Sequence, residues 1–240
     1  MITINTLKKL FKRFWVLYKM YMAMIVANIF SVKPCISKGN TKIGKVLNVS
    51  LMPIKSCGNC RGCCHYCYDV KACTGQHWKA VLDARVRNQV IFDYDRSLYF
   101  WHIENALKSR RKHFYFRWHV SGEIADRDYL ENMIRIAKDN PRFIFWTYTK
   151  MYSIVNEYVR DHGGDRKKAI PDNLSIMFSS GFNDVDNPYN FPLFHCRKKG
   201  TAIPKGFYHC PGNCDLCKSE NNNGKARGCI AGENTWNDEH

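Results

Sequence analysis

Six of the chain's twelve cysteines lie between Cys57 and Cys73, and four more between Cys210 and Cys229. Thiols this close together either pair as disulfides or bind a soft metal as thiolates. Tight C-x2-C and C-x3-C pairs suit the metal. The first cluster reads C-G-N-C-R-G-C-C-H-Y-C-Y from Cys57 to Tyr68. Within it Cys60, Cys64 and Cys67 form a C-x3-C-x2-C frame, with Tyr66 just before the last cysteine. Three thiolates on a four-iron cluster leave one iron open. Cys57, Cys60, Cys63 and Cys67 form a second frame, whose four ligands would close a cluster or a zinc site. Spacing alone leaves both frames standing. His65 is read as a bystander among these ligands.

The second cluster reads C-P-G-N-C-D-L-C from Cys210 to Cys217, followed by Cys229. Cys210, Cys214 and Cys217 repeat the C-x3-C-x2-C spacing, and Cys229 makes a fourth soft ligand. A site with four ligands and no open position points to a structural or electron-relay role. Zinc is the competing occupant, because four cysteines at such spacings commonly bind it structurally. Cys35, Cys73 and Cys196 are read as ordinary buried thiols. Free clustered thiols and low-potential iron both need reducing surroundings, so a cytoplasmic protein is expected.

Lys and Arg number 37 against 21 Asp and Glu, a formal charge of +16. That excess favours polyanionic partners: nucleic acid, nucleotides or an acidic membrane surface. A basic solvated surface explains it equally well. Thiolates bound to metal would lower the charge by several units. With 45% hydrophobic and 14% aromatic residues, the chain is not a disordered one.

The elements that must position these residues emerge from periodicity. Residues 8–32 run from a basic start into an apolar stretch. Its uninterrupted part, Met20 to Val32, is short of the roughly 20 residues a membrane span needs. A packed or amphipathic N-terminal helix is expected, with peripheral membrane contact through residues 8–32 as the second reading. Residues 33–45 read as a linker. Val46 to Leu51 reads as a short strand running into the first cysteine cluster. Trp78, Val81, Leu82 and Val86 recur at helical spacing, and Leu98, Trp101 and Leu107 do so more loosely. Phe114 to Val120 alternates as a strand. Asp126 offers an N-cap to a helix whose stripe is Tyr129, Leu130, Met133, Ile134 and Ala137. Phe143 to Tyr148 and Leu174 to Phe178 read as further strands, with a helix between them through Met151, Ile154, Val155, Tyr158 and Val159. Strands about every thirty residues mark βαβ units, hence a parallel sheet. Beyond Gly181 the periodicity disappears, and such a segment needs a metal to hold it.

C-x3-C-x2-C with an aromatic before the third cysteine, placed after a first strand, resembles the signature of radical S-adenosylmethionine enzymes. Ser121-Gly122-Glu123, after the next strand, is similar to the Gly-Gly-Glu motif with which that superfamily binds the methionine amino group. Ser121 departs from it. More closely, the chain resembles the phage-associated "gene product eighty-eight" family. The stretches are G-N-T-K-I-G at Gly39–Gly44, C-Y-D-V-K-A-C at Cys67–Cys73, R-W-H-V-S-G-E-I at Arg117–Ile124 and F-W-T-Y-T-K at Phe145–Lys150. C-P-G-N-C-D-L-C at Cys210–Cys217 and G-C-I-A-G-E at Gly228–Glu233 complete the set. The superfamily resemblance implies that an open iron chelates the methionine amine and carboxylate, and that one electron splits the carbon–sulfur bond. It also implies that Ser121, Gly122 and Glu123 bind the cofactor. Ligands in parallel α/β sheets bind beyond the carboxyl ends of strands, where Glu123 must lie, so it and the cysteine loop should face one cavity. The alternative for Glu123 is a helix-start acid beside Asp126 and Asp128.

The expectation is an α/β chain: a reduced partial (β/α) barrel with an N-terminal helix and a cysteine-rich irregular C-terminal segment. Its parts are residues 1–38 (helix and linker), 39–182 (α/β core with the first cluster) and 183–240 (metal-binding segment). The expected cofactors are one or two 4Fe-4S clusters with S-adenosylmethionine, or zinc instead. Expected partners are a nucleic acid or nucleotide substrate and an electron-donor protein. The competing function is a non-enzymatic, zinc- or cluster-stabilised module that binds nucleic acid, with exposed Tyr66 and Tyr68 as stacking groups.

Overall fold

The computed structural model describes residues 2–40, 43–58, 63–181, 184–197 and 202–238. The chain divides into two compact units. The first comprises Met1–Ile36, Val49–Arg110 and His119–Gly122. The second comprises Ser37–Asn48, Arg111–Trp118 and Glu123–His240.

The first unit is mainly helical: α1 (Ile4–Ala27), α2 (Tyr68–Thr74), α3 (Trp78–Tyr94) and α4 (Arg96–Ser109). Thr3 starts α1 by accepting the Thr6 N–H at 3.2 Å. The helix buries Leu10, Phe14 and Ile25. Arg13 stacks over Trp78 at 3.6 Å, and the Tyr18 hydroxyl donates to Asp93 at 2.9 Å, so α1 is fixed along α3. Its outward face carries Lys8, Lys9 and Lys12 in the first half. Trp15, Val16, Met20, Met24 and Val26 are exposed in the second. Among the described residues no helix is long and apolar enough to cross a membrane.

The second unit is built on the sheet. Its strands are β1 (Leu47–Val49), β2 (Tyr115–Trp118), β3 (Ile144–Thr149), β4 (Leu174–Ser180), β5 (Leu193–Arg197), β6 (Tyr208–His209) and β7 (Thr235–Asp238). Val49, the last residue of β1, falls in the first unit. The order is β1-β2-β3-β4-β5-β7-β6. Tyr115 pairs with Ile144, Phe145 with Leu174, Phe178 with Leu193, and Thr235 with both Phe194 and Tyr208, all in parallel. Parallel neighbours need crossovers. α5 (Arg127–Asp139) supplies one between β2 and β3, and α6 (Tyr152–Asp161) with α7 (Arg166–Ala169) supplies the next. The sheet stays open, as a partial α/β barrel does.

Asp126 caps α5 by accepting the Tyr129 N–H at 3.0 Å, and the stripe from Tyr129 to Ala137 is buried as its spacing requires. Phe116, Trp118, Phe143 and Phe145 pack edge-on and tilted between this helix and the sheet. The segment beyond residue 183 is less irregular than its composition suggests. It contributes β5, β6, β7 and the four-residue helix α8 (Gly228–Ala231).

Candidate metal and cofactor sites

In the first unit, the chain leaving β1 is clamped to α3 before it reaches the cysteines. Ser50 C=O accepts from Asn88 Nδ2 at 2.8 Å, Met52 N–H donates to Gln89 Oε1 at 3.2 Å, and Lys55 Nζ reaches Asp93 at 2.8 Å. Asn88 also accepts the Cys35 N–H at 2.6 Å and donates to the Cys35 carbonyl at 3.2 Å. Asn88 and Gln89 are buried, and buried amides persist only when their hydrogen bonds are made. These two side chains therefore fix the root of the cysteine loop.

The same root meets the segment that follows β2. Leu51 N–H donates to Ser121 C=O at 3.0 Å, and Ser121 N–H donates to Ser50 Oγ at 3.2 Å. Gly122 has φ +93°, and a Cβ there would stand 2.7 Å from Ser56 Oγ and 2.9 Å from Leu51 Cβ. Ile54, on the root, has φ +68°, and His119 has φ +50°. A β-branched residue in that region is strained, and such strain clusters at functional sites.

Cys57, Cys63, Cys64 and Cys67 are half-buried cysteines on this loop. Cys60, common to both ligand frames, lies outside the described residues. Cys64–Tyr66 forms a single 3-10 turn, and Cys67 immediately precedes α2. Burial pushes the Cys67 thiol up to about 11, against the pull of the Val70 and Asp69 amides at the start of α2. The Asp69 charge and then Cys57 raise it further. Cys73 is buried, and its thiol points to Asp69 Oδ2 at 3.7 Å. Burial and the Asp69 charge raise it well above the ordinary thiol range.

Asp69 holds α2 onto α3. Its carboxylate accepts Arg85 Nη2 at 2.9 Å and Nε at 3.2 Å, a bidentate pair with only 2% and 13% of the two side chains exposed. Burial alone would lower the Arg85 pKa, but the Asp69 charge and hydrogen bonds outweigh it and raise it. Nothing in the sequence reading singled out Asp69, Arg85, Asn88 or Gln89. The available signal was a polar run at helical spacing inside an apolar helix.

Glu123 belongs to the second unit. Its buried carboxylate accepts Thr149 Oγ1 at 2.8 Å and the Lys150 N–H at 3.2 Å, with Lys150 Nζ 3.6 Å away. Burial raises its pKa, and Lys150 and Thr149 pull against that. These bonds tie the exit of β2 to the exit of β3. The N-cap of α5 is Asp126, not Glu123.

The second cysteine cluster lies wholly in the second unit. Cys210 follows β6, its N–H donating to Trp236 C=O at 2.8 Å. Cys214 and Cys217 bracket a 3-10 turn capped by Asn213, and Cys229 sits in α8. The turn is pinned through Asp215. Asp215 accepts the Lys45 N–H at 3.2 Å and pairs with Lys218, whose ammonium also reaches the Lys45 carbonyl at 3.3 Å. A Cβ on Gly44 would overlap the Asp215 carboxylate, and φ there is +64°. The Gly39–Gly44 stretch thus has a local purpose.

Cys210, Cys214, Cys217 and Cys229 line one cavity of about 20 Å3 together with Tyr148, Tyr208, Asn213 and Thr235. Cys217 and Cys229 belong to a core cluster with Val46, Tyr115, Trp146, Met177 and Ile230. Burial raises all four thiols, Cys214 to about 11 and Cys229 to about 12, and neighbouring thiols add to it at Cys214, Cys217 and Cys229. The Arg117 guanidinium, stacked 4.6 Å over Tyr148, lowers Cys210 and Cys214. As a donor set these four fit a thiophilic metal. Yet among the described residues no three His, Cys, Asp or Glu side chains are arranged to hold a single metal ion.

No curated protein matches the chain, and no solved structure matches it. The family described as Gene product 88 matches residues 33–192. That span includes the first cysteine loop and Ser121-Gly122-Glu123 and stops short of Cys210. It bears out the closer of the two resemblances, the phage-associated one, and carries no statement about radical chemistry. With well over half its length matched, the chain belongs to the Gene product 88 family.

Proposed function

We propose that this is an iron–sulfur protein of the radical S-adenosylmethionine type, with its cluster on the loop from Cys57 to Cys67. One observation carries the reading. Ser121 and Gly122, which follow β2, are hydrogen-bonded to and packed on the root of the cysteine loop that follows β1. Strand, cysteine loop, helices, strand and glycine turn come in the order this chemistry uses. Bare backbone at Gly122 lets this turn pack directly on Ser56 and Leu51 of the loop root. Asn88 and Gln89 hold the loop root in place, and the Asp69–Arg85 pair fixes the helix that starts just after Cys67. The loop cysteines would hold the cluster, which, once reduced by an external one-electron donor, would supply the electron that splits the cosubstrate's carbon–sulfur bond.

The test is anaerobic reconstitution with iron and sulfide, followed by dithionite reduction with S-adenosylmethionine. A brown protein whose spin-resonance signal shifts with S-adenosylmethionine, and which releases 5′-deoxyadenosine, supports the proposal. Protein that shows no such shift and no cleavage refutes it.

The second reading is a zinc- or cluster-stabilised nucleic-acid-binding module. Tyr66 and Tyr68 favour it, since both are more than half exposed beside the cysteine loop of a chain with formal charge +16. Its signature is colourless, zinc-loaded protein with salt-dependent affinity for single-stranded nucleic acid.

A further inference from the structure

Parallel connections bring the loops that enter β2, β3 and β4 to one end of the sheet, away from Glu123 at the strand exits. In the second unit these three loops are stitched into one surface. Ile144 N–H donates to Phe114 C=O at 2.8 Å, and Phe145 N–H to Asn173 C=O at 2.7 Å. Arg142 Nη1 donates to the Arg111 carbonyl at 3.2 Å, and Asn173 Nδ2 to the carbonyls of Ala137 at 2.9 Å and Phe143 at 3.0 Å. The surface exposes Arg111, Lys112, Lys138 and Arg142 together with Phe114. We propose that this strand-entry end of the second unit binds single-stranded nucleic acid, with the four cations on phosphates and Phe114 under a base.

Two observations carry it. Phe114 is the first. By alternation it shares a face with Phe116 and Trp118, which are fully buried, yet 47% of Phe114 is exposed. A base of any identity can stack on such a ring. The second is charge that no helix end accounts for. Lys138 lies in the last turn of α5, where a cation suits the helix dipole. Arg111 and Lys112 precede β2, and Arg142 follows Pro141, so the dipole explains none of these three. The acids close by are Asp139, 3.4 Å from Arg135, Glu220, which accepts the Tyr115 hydroxyl at 2.9 Å, and Asp172. Positive charge prevails over them. Arg142 is also held in advance, by the Arg111 carbonyl and by the Phe143 ring 4.7 Å away, which lowers the cost of ordering it on a phosphate.

An acidic membrane asks for an apolar face as well as charge. Among the described residues of these loops, Phe114 is the one large apolar side chain exposed, so a strand of phosphates and bases fits better. The inference goes beyond the proposed function. It needs no metal, and it lies apart from Tyr66 and Tyr68, which belong to the first unit.

Fluorescence anisotropy on the full chain tests it, with labelled oligothymidylate and oligouridylate as probes to separate DNA from RNA. The parent should bind at least one of them, with log K falling against log salt at a slope of about 3 in magnitude for four phosphates. Lys112→Gln/Lys138→Gln replaces two exposed side chains and should make that slope shallower by about 1.4. Phe114→Ser should weaken binding about fivefold or more at an unchanged slope. Tyr66→Ser/Tyr68→Ser should bind as the parent does. A parent that binds neither probe overturns the proposal, and so does unchanged affinity in the lysine variant or in Phe114→Ser. Loss confined to Tyr66→Ser/Tyr68→Ser would move the contact to the cysteine loop, and binding to anionic vesicles but to neither probe would make the partner a membrane. Either result sinks the assignment. The response to S-adenosylmethionine enters none of these readings, so the proposed function stands or falls separately.

Discussion

Replacing Asp69 with Asn removes one charge from the most deeply buried ion pair among the described residues of the first unit and changes almost nothing in shape. Arg85 would keep its guanidinium in a site where 13% of the side chain is exposed, with no carboxylate to meet it. Surface pairs contribute about 0–1 kcal/mol, but breaking a buried pair from one side costs about 3–5 kcal/mol. Exposures of 2% and 13%, with bidentate bonds at 2.9 and 3.2 Å, place this pair in the second class. For a chain of this length each kcal/mol moves the melting point by ~2–4 °C, so a fall of roughly 10 °C is expected. Scanning calorimetry reads it directly. The double variant Asp69→Asn/Arg85→Met removes the stranded charge and should recover more than half of the loss, because apolar replacement of a buried pair is often neutral. A single variant within about 1 kcal/mol of the parent, or a double variant no better than the single, would refute the reasoning.

Gly122→Ala combines an unfavourable φ of +93° with a Cβ 2.9 Å from Leu51 Cβ, and should destabilise the protein by about 2–4 kcal/mol. An unchanged denaturation midpoint would mean that the loop root and the turn after β2 do not touch. Glu123 has a raised pKa in the folded state, so its contribution to stability is complete below the ordinary glutamate range and is lost as pH rises through the folded value. The unfolding free energy of the parent, relative to Glu123→Gln, should therefore fall with rising pH above about 4.3, and a rise would contradict the assignment. The outward face of α1 pairs Lys8, Lys9 and Lys12 with exposed Trp15, Val16 and Val26. Flotation with anionic but not neutral vesicles at low salt is expected, weakened by Trp15→Ser/Val16→Ser. Equal flotation of parent and variant would remove these residues from the contact.

The middle of the chain was legible because its elements are amphipathic. The stripe from Tyr129 to Ala137, the cap at Asp126 and the apolar runs of β3 and β4 each follow one period. β5, β6 and β7 gave no such signal. They are two to five residues long, too short for a pattern to accumulate, and their register comes from parallel neighbours. The cysteine groupings could be read from spacing. Their supports could not: Asp215 meets Lys45 from 170 residues away, and Asn88 meets Ser50 from 38. α3 misled in a particular way. Asn88 and Gln89 look like a solvent face beside the stripe of Leu82 and Val86, yet Asn88, Gln89, Val90, Ile91 and Phe92 are all buried. Glu123 is a similar case, since the partners that engage its carboxylate lie 26 and 27 residues further along.

The two units are interleaved in the chain. It passes from one to the other after Ile36, Asn48, Arg110, Trp118 and Gly122. No single cut yields either unit as a continuous fragment. The stretch shared with the family, residues 33–192, would leave α1 behind although Leu10 and Phe14 are buried, and would end before β5 could cover the edge of β4. Recombination that exchanges a contiguous block therefore splits at least one core. Substitutions and loop insertions disturb such an arrangement less than swapped modules do.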